Sequence, residues 1–581
     1  MESLRNDKES FNIGSNKDEA IPTKTSNDVE VKEVTYDELL SSAGEFGRYQ
    51  ILLFFSTFPF YVFGAMSYYS QLFMTEVSPN HWCWIPELLN LSSEDRRALA
   101  IPLDNRTHFG YSQCTAYVAN WTEILITGQT PNETWDTVKC QHGWEFNKSE
   151  IPYPTISSEL GWVCDKNSYQ ATAQAIFFLG SITGGFIIGW ISDKYGRIPA
   201  VVISNLVGCI GGAVSVFARD FIEFSIYRFF MGMSYDNCMM MAYLIVLEYV
   251  APKYRTFVSY MAFALLYSIA ATTLPWIILL CGHWKTIALV TSLPMALAIF
   301  TPCFIPESPR WLLSKGRIED AVKKVIEIGR VNKKEIPPAT IETFKETACN
   351  AKLEENVSCL ELLRRPLLRR MLIFICLTYV CCTIVFDGLV RGIKQLEFDY
   401  FITFSIVSFT EFPSMLIAAF IGEKMGRRWM TSLFLFVSCV CSILTVITGG
   451  WLSTLFAVAA RFAVNMSGSA TTLWTAELMP VSVRGFGASI AHICSYVATV
   501  ISPYIIYLEI YIYWLPYVVI GCVAGFGGVI ALTLPETVRK EMPQTFEDAE
   551  ELMRSIQFCD IPCTSKKKSV DGIINECFEI K

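Results

Sequence analysis

Charge is scarce in this chain. Only 18% of its 581 residues are Asp, Glu, Lys or Arg, against 52% hydrophobic side chains, and the mean hydropathy is +0.36. That balance excludes an ordinary soluble protein and places the chain in a lipid bilayer. There is no basic excess either: the formal net charge is -8, and residues 1–45 hold eleven acids against five bases, which argues against nucleic acid as a partner. That polar stretch has none of a signal peptide's basic start, apolar middle and small-residue cleavage site, so the first apolar run, near Tyr49, is expected to direct insertion itself. No Gly-rich phosphate loop points to ATP, no Cys or His spacing points to a metal, and no nucleophile or cofactor constellation points to an enzyme.

What the chain has in abundance is long apolar runs. A bilayer core about 30 Å thick needs about 20 apolar residues per helix. Twelve stretches qualify, centred near residues 60, 180, 208, 235, 268, 295, 380, 409, 438, 464, 496 and 523. Six precede the polar stretch 305–368 and six follow it. This predicts an all-α polytopic membrane protein of twelve transmembrane helices in two six-helix bundles, residues 46–304 and 369–535, with tails at 1–45 and 536–581. Charged motifs repeat across the linker. GWISDKYGR at Gly189–Arg197 is answered 230 residues on by EKMGRR at Glu423–Arg428. Glu248 with Arg255 is answered by Glu477 with Arg484, and Pro306-Glu307 by Pro535-Glu536, both at an offset of 229. The chain is a tandem duplication.

Lys194, Arg197, Lys253, Arg255, the 305–370 stretch, Lys424–Arg428 and Arg484 fall in alternate loops. The positive-inside rule then puts these loops and both termini in the cytoplasm, with the plasma membrane as the expected location. The linker run WLLSKGRIEDAVKKVIEIGR has the apolar spacing of amphipathic helices lying against that face. The long loop 75–168 is accordingly expected outside. It carries N-x-S/T sequons at Asn90, Asn105, Asn120, Asn132 and Asn147, which predict a glycosylated outer face. Cys83, Cys114, Cys140 and Cys164 share this loop, so two disulfides are expected in one of three connectivities. The other sixteen cysteines are expected to be free, packed thiols.

In GWISDKYGR, Gly189 is expected to let a neighbouring helix approach closely, and Asp193 to meet the positive end of the third span's dipole. Gly196 makes the turn and Arg197 supplies the cation. Together with Glu248 and Arg255, Glu423 and Arg427, and Glu477 and Arg484, these residues read as ion pairs that hold the two bundles together on the cytoplasmic face and open as the bundles rock. The pattern Gly189-x-x-x-Asp193-x-x-Gly196-Arg197 resembles the loop motif of the major facilitator superfamily. Pro306-Glu307-Ser308-Pro309-Arg310-Trp311-Leu312-Leu313 resembles the linker motif of its organic cation, anion and carnitine transporters. Glu477-Leu478-Met479-Pro480 with Val483-Arg484-Gly485, Tyr227-Arg228-Phe229, Pro535-Glu536-Thr537 and the cysteine-bearing loop fit the same branch. The resemblance covers about residues 45–550. It implies the major facilitator fold, alternating access about a central cavity and a small organic ion as substrate, with no cofactor expected; insect carriers of amine conjugates such as carcinine are the natural comparison. Two departures in the second copy, Glu423 for the aspartate and Ala419 for the first glycine, predict hinges of unequal strength.

A charge at the centre of a span costs about 2.5–3.5 kcal/mol on insertion scales, so each one is a functional candidate. The candidates are Asp236 in the fourth span, Asp387 in the seventh and Glu411 in the eighth, with Arg228 and Arg461 in the fourth and tenth and His492 in the eleventh. Tyr235, Tyr379, Phe386 and Tyr496 are placed to offer ring faces to a protonated amine. The resemblance adds that Glu411 falls where cation carriers also have a glutamate. Asp236 falls where mammalian cation carriers tend to have lysine, and Tyr496 at a position that is acidic in cation carriers and basic in anion carriers. The reading is a carrier of small organic cations or amine-bearing zwitterions, with Asp236 and Glu411 as counter-charges. The alternatives are an organic anion or carnitine-like carrier, favoured by Arg461, and a receptor that does not transport. An ion pair of Asp236 with Arg228 or Arg461 would make that acid structural.

Overall fold

The computed structural model describes residues 34–554 apart from positions 79, 105–109, 129–131, 133–134, 351–359, 397, 481–482, 539, 541 and 544. Among the described residues, ten helices are long and apolar enough to cross a membrane: Arg48–Thr75, Cys164–Tyr195, Arg197–Phe217, Phe221–Glu248, Pro252–Cys281, Trp284–Phe304, Pro366–Arg391, Tyr400–Met425, Arg427–Ile447 and Arg484–Ile510. Two more complete the expected set. Trp451–Leu478 has the length, 28 residues, but its apolar run is interrupted by Arg461, Asn465 and several Ser and Thr. Leu515–Ala531 is apolar but has only 17 residues. These twelve are called the first to twelfth spans in chain order.

Local chemistry bends several of them. The first span breaks at Thr57, whose hydroxyl donates to the Phe54 carbonyl at 2.7 Å, with Pro59 opening the next piece. The fourth breaks at Asp236, between helices Phe221–Tyr235 and Asn237–Glu248. The second and fourth spans pack backbone to backbone, because a side chain at Gly180 or Gly232 would collide with the carbonyls of Phe229 and Phe177. Close approach therefore occurs here and not at Gly189, where no described atom comes within 4 Å of an added Cβ.

The loop between the first and second spans defines one face, the long-loop side. Two antiparallel ladders, His81–Cys83 with Trp144–Phe146 and Thr115–Tyr117 with Thr137–Lys139, form its frame. The disulfides are Cys83–Cys140 and Cys114–Cys164, one of the three connectivities the sequence left open. Trp82, Leu88, Ile101 and Trp121 fill a small core. Arg96 lies over Trp84 and pairs with Glu145 at 2.5 Å. The loop is tied to the spans by Ser157, which donates to the Thr75 carbonyl at 2.7 Å, and by Trp284 Nε1, which donates to Glu159 at 2.8 Å. Asn90, Asn120 and Asn132 are exposed and Asn147 half-buried; Asn105 lies outside the described residues.

The opposite face, the hinge side, carries the linker helices Pro309–Ser314, Ile318–Asn332 and Pro338–Asn350. Ile318–Asn332 turns Val322, Val325 and Ile328 inward, as its spacing predicts. It does so against a partner absent from the sequence reading. Tyr36–Gly44, placed by that reading in a polar tail, is a helix with a capping box at Thr35 that buries Leu39, Leu40 and Ala43 in the same core as Val325. Asn332 closes the joint, accepting from the Tyr49 N–H at 3.0 Å and donating to the Ala43 carbonyl at 3.2 Å.

Candidate functional site

The hinge side shows the duplication in atomic detail. Gly196 and Gly426 hold φ of 118° and 89°, a conformation that glycine adopts without strain, and each ends one span and starts the next. A carboxylate from a distant segment then caps the new helix. Glu307 accepts from the N–H groups of Arg197 at 2.9 Å and Ile198 at 3.1 Å, and Glu536 does the same for Arg427 at 2.9 Å and Arg428 at 3.1 Å. Negative charge at exposed helix N–H groups is favourable. The sequence reading assigned that place to Asp193; the structure gives it to the Pro-Glu motifs, because Asp193 ends the second span and its side chain is 82% exposed.

Each hinge arginine then gathers acids from its own half. Arg197 pairs with Asp193 at 2.9 Å and Glu248 at 3.3 Å, and Arg427 with Glu423 at 2.9 Å and Glu477 at 3.1 Å. The expected Glu248–Arg255 and Glu477–Arg484 pairs do not form. Arg255 reaches Asp37 of the N-terminal helix at 2.7 Å, and Asp37 also takes Arg310 at 2.5 Å. Arg484 makes no ion pair among the described residues, and its Nε and Nη2 have no hydrogen-bond partner. These pairs brace each half separately instead of joining the bundles. Beside them, burial holds the Tyr36 hydroxyl protonated well above its usual range, and it donates to the Glu248 carbonyl at 3.0 Å.

At the midplane the charges sort themselves by partner. Glu411 accepts from Arg461 at 2.6 Å, both side chains being buried. Arg461 also donates to the Phe386 carbonyl at 2.5 Å and lies over the Phe386 ring at 3.4 Å. Glu411 is therefore not a free counter-charge, nor is one face of Phe386 a free ring. Asp387 is fully buried and bound by Arg391 at 2.7 and 3.2 Å, so it too is neutralised. Arg228 pairs with no acid among the described residues: Gln71 accepts from its Nε at 3.0 Å, the Ser67 carbonyl from its Nη2 at 3.2 Å, and Phe177 stacks beneath it.

Asp236 differs from the other two acids. Neither Arg228 nor Arg461 reaches it, and among the described residues it has no ion pair. Its side-chain hydrogen-bond partner is the hydroxyl of Tyr496, which donates to Oδ2 across the junction of the two halves, and the imidazole of His492 lies within electrostatic reach. Tyr235, its neighbour in sequence, stacks on Tyr68 at 5.1 Å. Tyr379 meets the ring of His492, one turn before Tyr496, at 5.4 Å edge to face, and its hydroxyl lies 3.3 Å from that of Thr472. The break in the fourth span thus places a half-buried carboxylate among tyrosines. Tyr68, Gln71, Gln174 and Arg391 were missed by the sequence reading. Arg391 had a signal, four residues after Asp387 on one helix face; the others are ordinary polar residues whose partners come from distant segments.

Residues 115–551 match the sugar (and other) transporter family. The chain is 30% identical over 553 residues to the carcinine transporter of Drosophila melanogaster, covering 92% of this chain and 82% of that one. It is 28% identical over 551 residues to the beta-alanine transporter of the same fly, covering 90% of each. Among solved structures it is similar to the inward-open xylose transporter XylE from E. coli, with a TM-score of 0.54 at 14% identity over 86% of this chain and 99% of that one, a likeness of fold. Relatives and fold agree with the helix count and the repeated hinges: the chain is a multi-pass membrane transporter of the sugar (and other) transporter family, with the major facilitator fold.

Proposed function

We propose that this protein carries small protonated amines or amine-bearing zwitterions by alternating access, with Asp236 as the counter-charge. The observation that carries the reading is the pairing at the midplane: Glu411 and Asp387 have arginines, whereas among the described residues Asp236 has no arginine or lysine, only the Tyr496 hydroxyl and the nearby His492 imidazole. A half-buried carboxylate without a cation is costly, and an ammonium supplies both the missing charge and hydrogen-bond donors. Tyr235 and Tyr496 add ring faces worth about 0.5–2 kcal/mol to a cation. Arg461, the residue that would favour an organic anion, is neutralised by Glu411. Carcinine and β-alanine, named in the two fly relatives, both carry an amine.

In this reading the long-loop side is extracellular, with sugars on the sequons. The hinges, linker and both tails face the cytoplasm of the plasma membrane. A monocation moving uncoupled gains about 2.3 kcal/mol per 100 mV, so no other energy source is needed. The test is uptake of radiolabelled carcinine by cells expressing Asp236→Asn. A fall of about tenfold or more is expected while surface expression holds, and unchanged uptake would remove Asp236 from the site.

A further inference from the structure

Asp387 was expected in the substrate site, yet its surroundings are those of a fastener between the two halves. Its Oδ2 accepts from Arg391 Nε at 2.7 Å, and its Oδ1 from Arg391 Nη2 at 3.2 Å. Oδ1 also accepts from the hydroxyl of Tyr68 in the first span. Arg391 Nη1 in turn donates to Oε1 of Gln174 in the second span, and its guanidinium lies over the Phe178 ring at 5.5 Å. Asp387 and Arg391 belong to the second half; Tyr68, Gln174 and Phe178 belong to the first. The side chains of the pair are 0% and 5% exposed, so the junction is dry and a charge left alone there would be heavily penalised.

Position and space point the same way. Arg391 ends the seventh span, facing the long-loop side. Above it lies a cavity of about 50 Å³, lined by Leu72, Gln174, Arg391 and Ile506 among others. This space is narrow where it reaches Arg391, whose side chain is only 5% exposed. Phe404 packs beside the junction, against Phe73 at 4.9 Å and Tyr69 at 5.1 Å. The hinge-side clusters, by contrast, are each internal to one half.

We propose that Tyr68, Gln174, Asp387 and Arg391 form the gate that closes the carrier on the long-loop side, with Tyr68 the residue that links the gate to the amine site. The ring of Tyr68 stacks on Tyr235, the neighbour of Asp236, while its hydroxyl holds Asp387. Occupation of Asp236 therefore acts on the ring that seats the lock. This link to an amine rests on the function proposed above; the lock itself does not.

The test uses full-length protein at the surface of cells, with a cysteine introduced at Val500, four residues beyond Tyr496 and packed at the junction of the halves. The rate of labelling by a membrane-impermeant maleimide added outside is measured over the parental background. Adding Asp387→Asn is expected to raise that rate about tenfold or more. Gln174→Ala, which opens the first-half end without stranding a carboxylate, should raise it about threefold, and Asp387→Glu should keep the parental rate. Equal rates in Asp387→Asn, Gln174→Ala and parent would overturn the gate. Tyr68→Phe keeps the ring and loses the hydroxyl; it should label faster and lose any response of labelling to carcinine, and parental behaviour would overturn its linking role. Equilibrium binding of radiolabelled carcinine to purified protein separates the two proposals. Asp387→Asn should bind within about threefold of parent. Lost binding in Asp387→Asn with unchanged labelling would make Asp387 a substrate ligand, sinking the gate and sparing the amine reading. Unchanged binding in Asp236→Asn would sink the amine reading, with the labelling arms still deciding the gate.

Discussion

The two hinges are near copies of each other, and the two halves of the midplane are not. Arg197 and Arg427 each sit after a left-handed glycine, each is capped at its N–H by a glutamate from a Pro-Glu motif, and each binds one acid a turn away and another from the end of the following span pair. The expected weakness of the second copy is not visible in this geometry: Glu423 replaces aspartate at the same 2.9 Å, and Arg427 is more buried than Arg197, with 7% against 15% of its side chain exposed. The difference lies beside the hinges. In the first half Trp311 of the linker covers the turn, donating from Nε1 to the Asp193 carbonyl at 3.1 Å. In the second a cavity of about 220 Å³ opens beside Glu423, Arg427 and Glu477. At the midplane, Arg228 of the fourth span has Gln71, a carbonyl and the Phe177 ring but no acid among the described residues, whereas Arg461 of the tenth has Glu411. Duplicated residues preserve the bracing of the two hinges, while what covers each hinge and how the midplane arginines are partnered differ between the halves.

The contrast can be broken most sharply at Arg461. Arg461→Ala strands Glu411 in a dry site and is expected to cost about 3–5 kcal/mol, read as a loss of thermal stability in detergent. Replacing both members, Arg461→Met with Glu411→Leu, should recover most of it. Next come the caps. Glu307→Ala and Glu536→Ala each remove two charge-assisted bonds to backbone N–H groups and should lower stability by similar amounts, about 1–2 kcal/mol; a large effect in one half alone would end the claim of equivalence. Tyr496→Phe removes the cross-half hydroxyl from Asp236 and should shift the apparent KM for carcinine several-fold, in keeping with about 1 kcal/mol for one hydrogen bond, without altering surface expression. The smallest change belongs to Asp193→Asn, an exposed pair worth no more than about 1 kcal/mol. Its melting temperature should sit close to that of the parent, below the effect of Glu307→Ala.

Much of the fold was legible because it is written locally. Span length, the break between spans at Arg219-Asp220 and the inward face of Ile318–Asn332 follow from runs of neighbouring residues. The helix at Tyr36–Gly44 was missed because its apolar face, Leu39, Leu40 and Ala43, is short and set in a strongly acidic stretch. The motif residues at the hinges were found from their repetition, but their partners were misassigned at Arg255 and Arg484. Nearness along the chain does not set the pairing: the N-terminal helix brings Asp37 to Arg255, and Arg484 makes no ion pair among the described residues.

The sequence by itself determined that the chain crosses a membrane twelve times, that it is built from two repeats, and that Asp236, Asp387 and Glu411 are the acids to explain. Tertiary structure alone decided which cysteines join, which of those acids pair with an arginine and which does not. The reason is physical: hydrophobic length and helical period are properties of contiguous residues. The state of a buried charge depends on which group lies within about 4 Å of it, and for Glu411 and for Tyr68 with Asp387 that group is 50 and 319 residues away.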